Sequence, residues 1–210
     1  MLGPVGLDPP LGWLSMQELA DMGGGPSAIG PKVRPDLLEH VVPNRECGDC
    51  VACCDILEIR SPDLQKPAHV LCPHCVSGGC GIYENRPNVC RDWFCLWRRI
   101  EALPDEMRPD KCGVVLSIGQ HNPPRTVFEH AYIVARAIDD PAVFRTRIVK
   151  DALEMFAEEG SLPVWVGFEG AKRLYFPANA FADAIMRPDT TPWDSLVIPA
   201  LAWRKRYGLD

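Results

Sequence analysis

Nine of the ten cysteines in this 210-residue chain fall between Cys47 and Cys95. The first four stand in eight positions as Cys47-Gly-Asp-Cys50-Val-Ala-Cys53-Cys54. Two successive Cys-x-x-Cys steps of this kind set sulfurs close enough to grip one centre. Cys72-Pro-His-Cys75 follows, and then Cys80, Cys90 and Cys95. The segment is rich in Gly, Pro and Asp, so its path is expected to be loops and tight turns around ligands. Thiols buried without a partner are merely small apolar residues. Metal binding deprotonates them and contributes on the order of 10 kcal/mol for a structural zinc in a small site, enough to hold a loop-rich stretch together. The competing readings of this spacing are ordinary buried cysteines and a metal-free redox relay, and both are less favoured than metal ligation.

The rest of the sequence bounds the setting. No apolar run approaches the roughly 18 to 20 residues of a membrane-spanning helix. The start MLGPVGLDPPLGWLS lacks a basic stretch followed by an apolar one. The expectation is a cytoplasmic protein with no signal peptide or anchor, in a reducing compartment where disulfides are not the default. A net charge of -6 gives no general attraction to nucleic acid or to an anionic membrane. Neither is expected as a partner, although Arg98-Arg99 is a place where a local basic patch can form. The expected partners are metal ions. An apolar share of 47% with 24% charged residues fits a folded globular chain.

The predicted organisation has four parts. Residues 1–35 carry Pro4, Pro9, Pro10, Gly23-Gly24-Gly25-Pro26, Pro31 and Pro35, and read as an extended arm with at most one short helix near Ser15–Met22. Residues 36–112 form the cysteine region, with a short helix running from Arg91 through Leu96 to Ile100 and then turns through Leu103-Pro104-Asp105 and Arg108-Pro109-Asp110. Residues 113–185 form an α+β region. Val114, Val115, Leu116 and Ile118 read as a strand, and Thr126–Ala135 as a second strand rather than a buried helix start. A helix starts at Asp140-Pro141 and continues through Phe144, Ile148, Val149, Ala152, Leu153 and Phe156 to Gly160. A hairpin spans Pro163–Pro177 with its turn at Glu169-Gly170. Residues 186–210, with Trp193, Trp203 and Arg204-Lys205-Arg206, form a tail that packs as a final helix or frays. The expected class is α+β: an irregular, loop-rich cysteine segment followed by a small α+β layer with a β-hairpin.

Two motifs, Cys47-x-x-Cys50-x-x-Cys53-Cys54 and Cys80-x-Ile82-Tyr83-x-x-Arg86-Pro87-x-x-Cys90-Arg91, are specific in combination. In them the chain resembles the YkgJ-like cysteine-cluster family, described as a zinc- or iron-chelating domain. Relatives that methylate lysine on flagellin look similar in this segment. That resemblance implies an alternative in which an iron-sulfur centre sits beside a methyl-transfer site.

The candidate ligands are Cys47, Cys50, Cys53, Cys54, Cys72, Cys75, Cys80, Cys90 and Cys95. Tyr83, Arg86 and Arg91 are not soft-metal ligands, so any role in the centre is to surround it. Arg86 and Arg91 can donate toward sulfur, although Arg86 can equally pair with Glu84 or Asp92. Tyr83 is expected to pack over the site, with Trp93, Phe94 and Trp97 as an apolar cap. Cys112 reads as a lone packing thiol, and His74 as a residue between ligands rather than a ligand.

Nine thiolates suit two or three zinc ions with bridging sulfurs, whereas an iron-sulfur cluster needs four. The cofactor is therefore zinc or an iron-sulfur cluster, with cuprous ion a further soft candidate. No Ser-His-Asp, His-Glu-x-x-His or P-loop pattern supports a common hydrolase or nucleotidase. The functional expectation is a metal-binding protein in a structural or metal-handling role. The alternatives are an iron-sulfur-dependent enzyme and a thiol-based redox-sensing interaction protein.

Overall fold

A computed structural model describes residues 14–15, 40–159, 162–190 and 194–207. The fold is α+β and divides into two compact units, one of residues 34–118 with 135–152, the other of residues 1–33, 119–134 and 153–210. Apart from strand β1, Leu14–Ser15, the expected N-terminal arm and its short helix lie outside the described residues. Ser15 itself is extended, and β1 pairs antiparallel with Leu174 and Arg173. Among the described residues no helix is long and apolar enough to cross a membrane.

The cysteine-bearing unit is built from very short elements. Helix α1 (Ala52–Ile56) leads to the two-residue strands β2 (Ile59–Arg60) and β3 (Gln65–Lys66), and then to β4 (Cys75–Val76) and β5 (Gly79–Cys80). Helices α2 (Asn88–Asp92), α3 (Leu96–Arg99) and α4 (Pro109–Cys112) follow. Pieces this short do not hold themselves together. Arginine side chains do part of that work by capping free carbonyls. Arg45 donates to the carbonyls of Trp97 (2.6 Å), Ile100 (2.9 Å), Glu101 (3.2 Å) and Leu103 (2.6 Å). Arg99 donates to those of Phe94 (3.3 Å), Asp92 (3.2 Å) and His40 (3.4 Å).

The single helix expected from Arg91 to Ile100 is therefore two helices. Trp93 (φ -95, ψ 129) and Cys95 (φ -65, ψ 160) are extended between them, and Arg99 takes the carbonyls of Asp92 and Phe94.

After Gly113, in the left-handed region at φ 74, strand β6 (Val114–Gly119) buries Val114, Val115 and Leu116. Strand β7 (Tyr132–Ala137) ends in this unit. There Ile138 N donates to Gly113 O (2.9 Å), and Arg136 reaches Ser117 Oγ at 2.7 Å. The helix expected from Pro141 to Gly160 is interrupted. Pro141–Arg145 is a 3-10 turn capped by Asp140, Thr146 is extended at ψ 144, and helix α5 runs Arg147–Glu159. Thr146 bonds the Val143 carbonyl with both its Oγ1 (2.7 Å) and its N–H, so a bond from residue 147 is forestalled. Gly160 lies outside the described residues.

The other unit is organised by the hairpin of β8 (Val164–Phe168) and β9 (Ala171–Phe176), in register Phe168↔Ala171 and Trp165↔Leu174. Its turn is the expected one. Glu169 (φ 47) and Gly170 (φ 83) both take positive φ, the geometry that matches strand twist. The start of β7 runs beside β8 through Ile133 N to Pro163 O, 2.8 Å. Helices α6 (Asn179–Met186) and α7 (Asp194–Tyr207) close the core, so the tail is helical. Trp203 packs on Phe128 with ring centroids 5.9 Å apart, and Trp165 Nε1 donates to Phe128 O at 3.1 Å. Trp193 lies outside the described residues.

The expected strand over Thr126–Ala135 begins only at Tyr132, because residues 127–129 form a 3-10 turn. That turn carries the fully buried Glu129, whose carboxylate accepts from Arg125 N (3.1 Å), the Arg125 guanidinium (3.1 and 3.3 Å) and Lys172 Nζ (2.8 Å).

Burial alone would raise the Glu129 carboxyl, but the bonds and charges of Lys172 and Arg125 outweigh it and hold the group below its ordinary value. A carboxyl depressed on folding stabilises the fold above its unfolded pKa and loses that contribution as pH falls through the folded one. Glu129→Gln is expected to cost on the order of 3 kcal/mol at neutral pH. Thermal unfolding from pH 7 to 3 checks this, with the difference between wild type and variant shrinking toward acid. Parallel curves across that range refute the assignment.

Candidate metal centre

The cysteine loops are assembled by main-chain bonds. Cys50 N donates to Cys47 O at 3.0 Å, closing a turn that Gly48 (φ +55) permits. Cys53 and Cys54 lie on the first turn of α1, and Cys72 N donates to Cys54 O at 3.0 Å. Cys75 N donates to Cys72 O at 3.0 Å, and β4–β5 sets Cys75 opposite Cys80. The Gly78-Gly79 turn of that hairpin lies against the first cysteine turn, where a Cβ on Gly79 would meet Gly48 O at 2.5 Å. Cys90 is carried by α2, and Cys95 begins α3 with its carbonyl accepting from Arg98 N at 3.0 Å.

Eight of the nine candidate ligands, Cys47, Cys50, Cys53, Cys54, Cys72, Cys80, Cys90 and Cys95, line one cavity of about 310 Å³. The ninth, Cys75, lies near enough to Cys54 for the two thiols to act on each other electrostatically. Cys53 Sγ and Cys54 Sγ are 4.0 Å apart, and all ten cysteines are free thiols. Among the described residues no three His, Cys, Asp or Glu side chains close on a single point as in a finished metal site. The sulfurs border a shared space instead.

Their ionisation is mutually unfavourable. Cys54 is pushed far above the ordinary thiol value by its bond to Cys53, then by burial and the Cys53 charge. Burial, followed by the charges of Cys54, Cys72 and Cys80, pushes Cys75 up to about 12. Burial pushes Cys95 up to about 11, and it also raises Cys47, Cys50 and Cys90.

The surrounding residues divide. Tyr83, Trp93, Phe94 and Trp97 line the cavity, and Tyr83 is among the groups that partly offset the effect of burial on Cys47. Arg86 also lines it, stacked 3.9 Å from the Tyr83 ring centroid and donating to Tyr83 O (2.9 Å) and Cys90 O (3.3 Å). Arg91 is exposed and outside the lining, and it donates to Arg86 O at 3.0 Å, which steadies the loop that presents Arg86. His74 lines the cavity. Cys112 is a buried packing thiol that donates to Met107 O (3.5 Å) and Val114 O (3.4 Å).

Arg98-Arg99 forms no basic patch, because both side chains are buried. Arg98 is the residue that sequence reading missed. It lines the cavity, and its Nε and Nη1 are buried without a hydrogen-bond partner, as is Trp97 Nε1. Arg108 is also legible only in three dimensions. It pairs with Asp49 and with Asp110 (2.6 and 2.5 Å), and the Asp110 charge in turn acts on Cys50.

Compared with known proteins, the chain matches no family model, no curated protein and no solved structure. The donor set itself suits a soft metal, being thiols around one space with orphaned buried N–H groups that lack an anion.

Gly79→Ala tests the loop contact. A side chain there clashes with the Gly48 carbonyl and is strained at φ +126, whereas Gly78 (φ +95) has nothing within 4 Å of a Cβ. Both alanine variants are strained, by roughly 1–3 kcal/mol. The expected result is that Gly79→Ala alone also lowers bound metal per chain, by elemental analysis. Equal metal content in the two variants contradicts the contact.

Proposed function

We propose that this chain is a metal-binding protein of the YkgJ-like cysteine-cluster kind, chelating zinc or an iron-sulfur cluster through Cys47, Cys50, Cys53, Cys54, Cys72, Cys75, Cys80, Cys90 and Cys95. Its role is structural or metal-handling, in a reducing, cytoplasmic setting. The observation that carries the reading is the gathering of eight free thiols, from loops as distant in sequence as those of Cys47 and Cys95, around one cavity. So many sulfurs cannot ionise together without a cation, and a thiophilic metal supplies it.

A second reading, an iron-sulfur-dependent enzyme, draws on the same cavity. Its lining also includes Trp93, Ile118, Ser117 and Arg136, and the total volume is at the low end for a small-ligand site. Protein purified without oxygen separates the two. Brown protein with acid-labile sulfide identifies an iron-sulfur centre, and colourless protein containing zinc identifies the other. Cys53→Ser with Cys54→Ser is expected to abolish binding in either case, and metal retained by that variant rules out the ligand set.

Metal affinity is expected to fall steeply as pH drops. Burial and neighbouring sulfurs raise the thiols, so the metal must displace protons to bind. Calorimetric zinc titration in buffers of different ionisation enthalpy measures this, with more than one proton released per ion. Binding without proton release counts against thiolate ligation.

A further inference from the structure

Resting on the metal-binding reading, we infer that Arg98 is the charge-compensating donor of the centre: its buried guanidinium, together with the Trp97 indole N–H, donates to thiolate sulfurs, and the loaded centre carries a net negative charge.

Helix α3 is anchored on several sides. Val42 N donates to Arg98 O (2.8 Å), Arg98 N donates to Cys95 O (3.0 Å), and Arg45 donates to Trp97 O (2.6 Å) and Ile100 O (2.9 Å). The Arg98 guanidinium stacks 5.1 Å from the Phe94 ring centroid, and Phe94, Trp97 and Arg98 line the cavity with the thiols. Arg98 is only 8% exposed and Trp97 6%. Even so, Arg98 Nε, Arg98 Nη1 and Trp97 Nε1 have no acceptor. Buried donors are nearly always bonded, so three on adjacent residues mark a place that awaits a partner.

The other cations of the cavity are already engaged. Of its four arginines, Arg86 donates to Tyr83 O and Cys90 O, Arg108 holds Asp49 and Asp110, and Arg136 reaches Ser117 Oγ. Among the described residues of the lining the carboxylate is that of Glu58, and Arg60 pairs with it at 2.7 Å. No carboxylate there is left for Arg98. The groups beside it that become anions on metal binding are the thiols.

A neutral thiol is a weak acceptor. When its sulfur bonds a metal the proton leaves to solvent, and the thiolate then accepts N–H groups around the centre. Four thiolates outweigh the positive charge of a zinc ion, and those of an iron-sulfur cluster do the same. A guanidinium does not shed its proton, so Arg98 is an unpaired buried charge before loading and a paired one after it. Removing that charge therefore has opposite consequences in the two states.

The test uses the full chain, reduced, with zinc alone. Native mass spectrometry of the wild type weighs the bound zinc against the protons it displaces, and more protons are expected to leave than the charges the zinc brings. Equal numbers mean a neutral centre and overturn the inference. That measurement needs no variant to fold.

Arg98→Gln is expected to weaken zinc about tenfold in competition with a chromophoric chelator, and Arg98→Lys, which keeps the charge, to lose less. Thermal unfolding distinguishes this from a purely structural role. Arg98→Gln should leave the metal-free protein as stable as the wild type or more so, and lower the melting temperature of the zinc-loaded protein. A variant that destabilises both forms alike and binds zinc as the wild type does makes Arg98 a brace, which overturns the inference while metal binding stands. Wild-type protein that takes up no zinc also overturns it, and if that protein holds no iron or sulfide either, the metal-binding reading falls with it.

Discussion

Mutual repulsion among crowded sulfurs governs the cysteine-bearing unit. Each thiol that ionises makes the next harder to ionise, and burial adds to the difficulty. Cys54 and Cys75 accordingly sit well above an ordinary thiol, with Cys53 and Cys54 respectively among the causes. A cation removes both penalties at once, by neutralising charge and by replacing protons as the partner of sulfur. Under the proposed metal binding, that coupling would hold a segment with helices of only four or five residues to a defined path.

The neighbours Arg98 and Arg99 show how the same side chain serves two ends. Both are buried on one four-residue helix. Arg99 binds three carbonyls at the breaks around that helix and acts as a brace. Arg98 turns to the cavity, stacks 5.1 Å from the Phe94 ring centroid, and leaves two nitrogens without an acceptor. A buried guanidinium cannot relieve that cost by losing its proton. The cost falls only when an anion arrives, and in this unit the anions that can arise beside it are thiolates.

The other unit handles buried charge in the opposite way. Glu129 is fully buried yet accepts from Arg125 and Lys172, and Lys172 also lies 4.3 Å from the Tyr132 ring centroid and 4.7 Å from that of Trp165. Gly119 leaves room for Tyr132, since a Cβ there would meet its ring at 2.5 Å. This charge cluster is complete within the protein. The cluster around Arg98 and the thiols leaves two guanidinium nitrogens without an acceptor, and it is there that the proposed metal would bind.

Features set by near neighbours in the chain were legible from sequence. The Glu169-Gly170 turn depends on two residues that accept positive φ between alternating apolar strands, and the Cys47–Cys50 turn depends on local spacing and on Gly48. The helices expected through Trp93 and Thr146 failed because periodicity does not reveal a side chain competing for a helical carbonyl. Arg99 reaches back for Asp92 O and Phe94 O, and Thr146 takes Val143 O. Sequence alone thus determined the chemistry of the donors, since a thiol is a soft ligand wherever it is placed. Tertiary structure decided which sulfurs are neighbours and which arginine lacks an anion, because both depend on loops distant in sequence, Cys54 with Cys72 and Cys47 with Arg98, meeting in space.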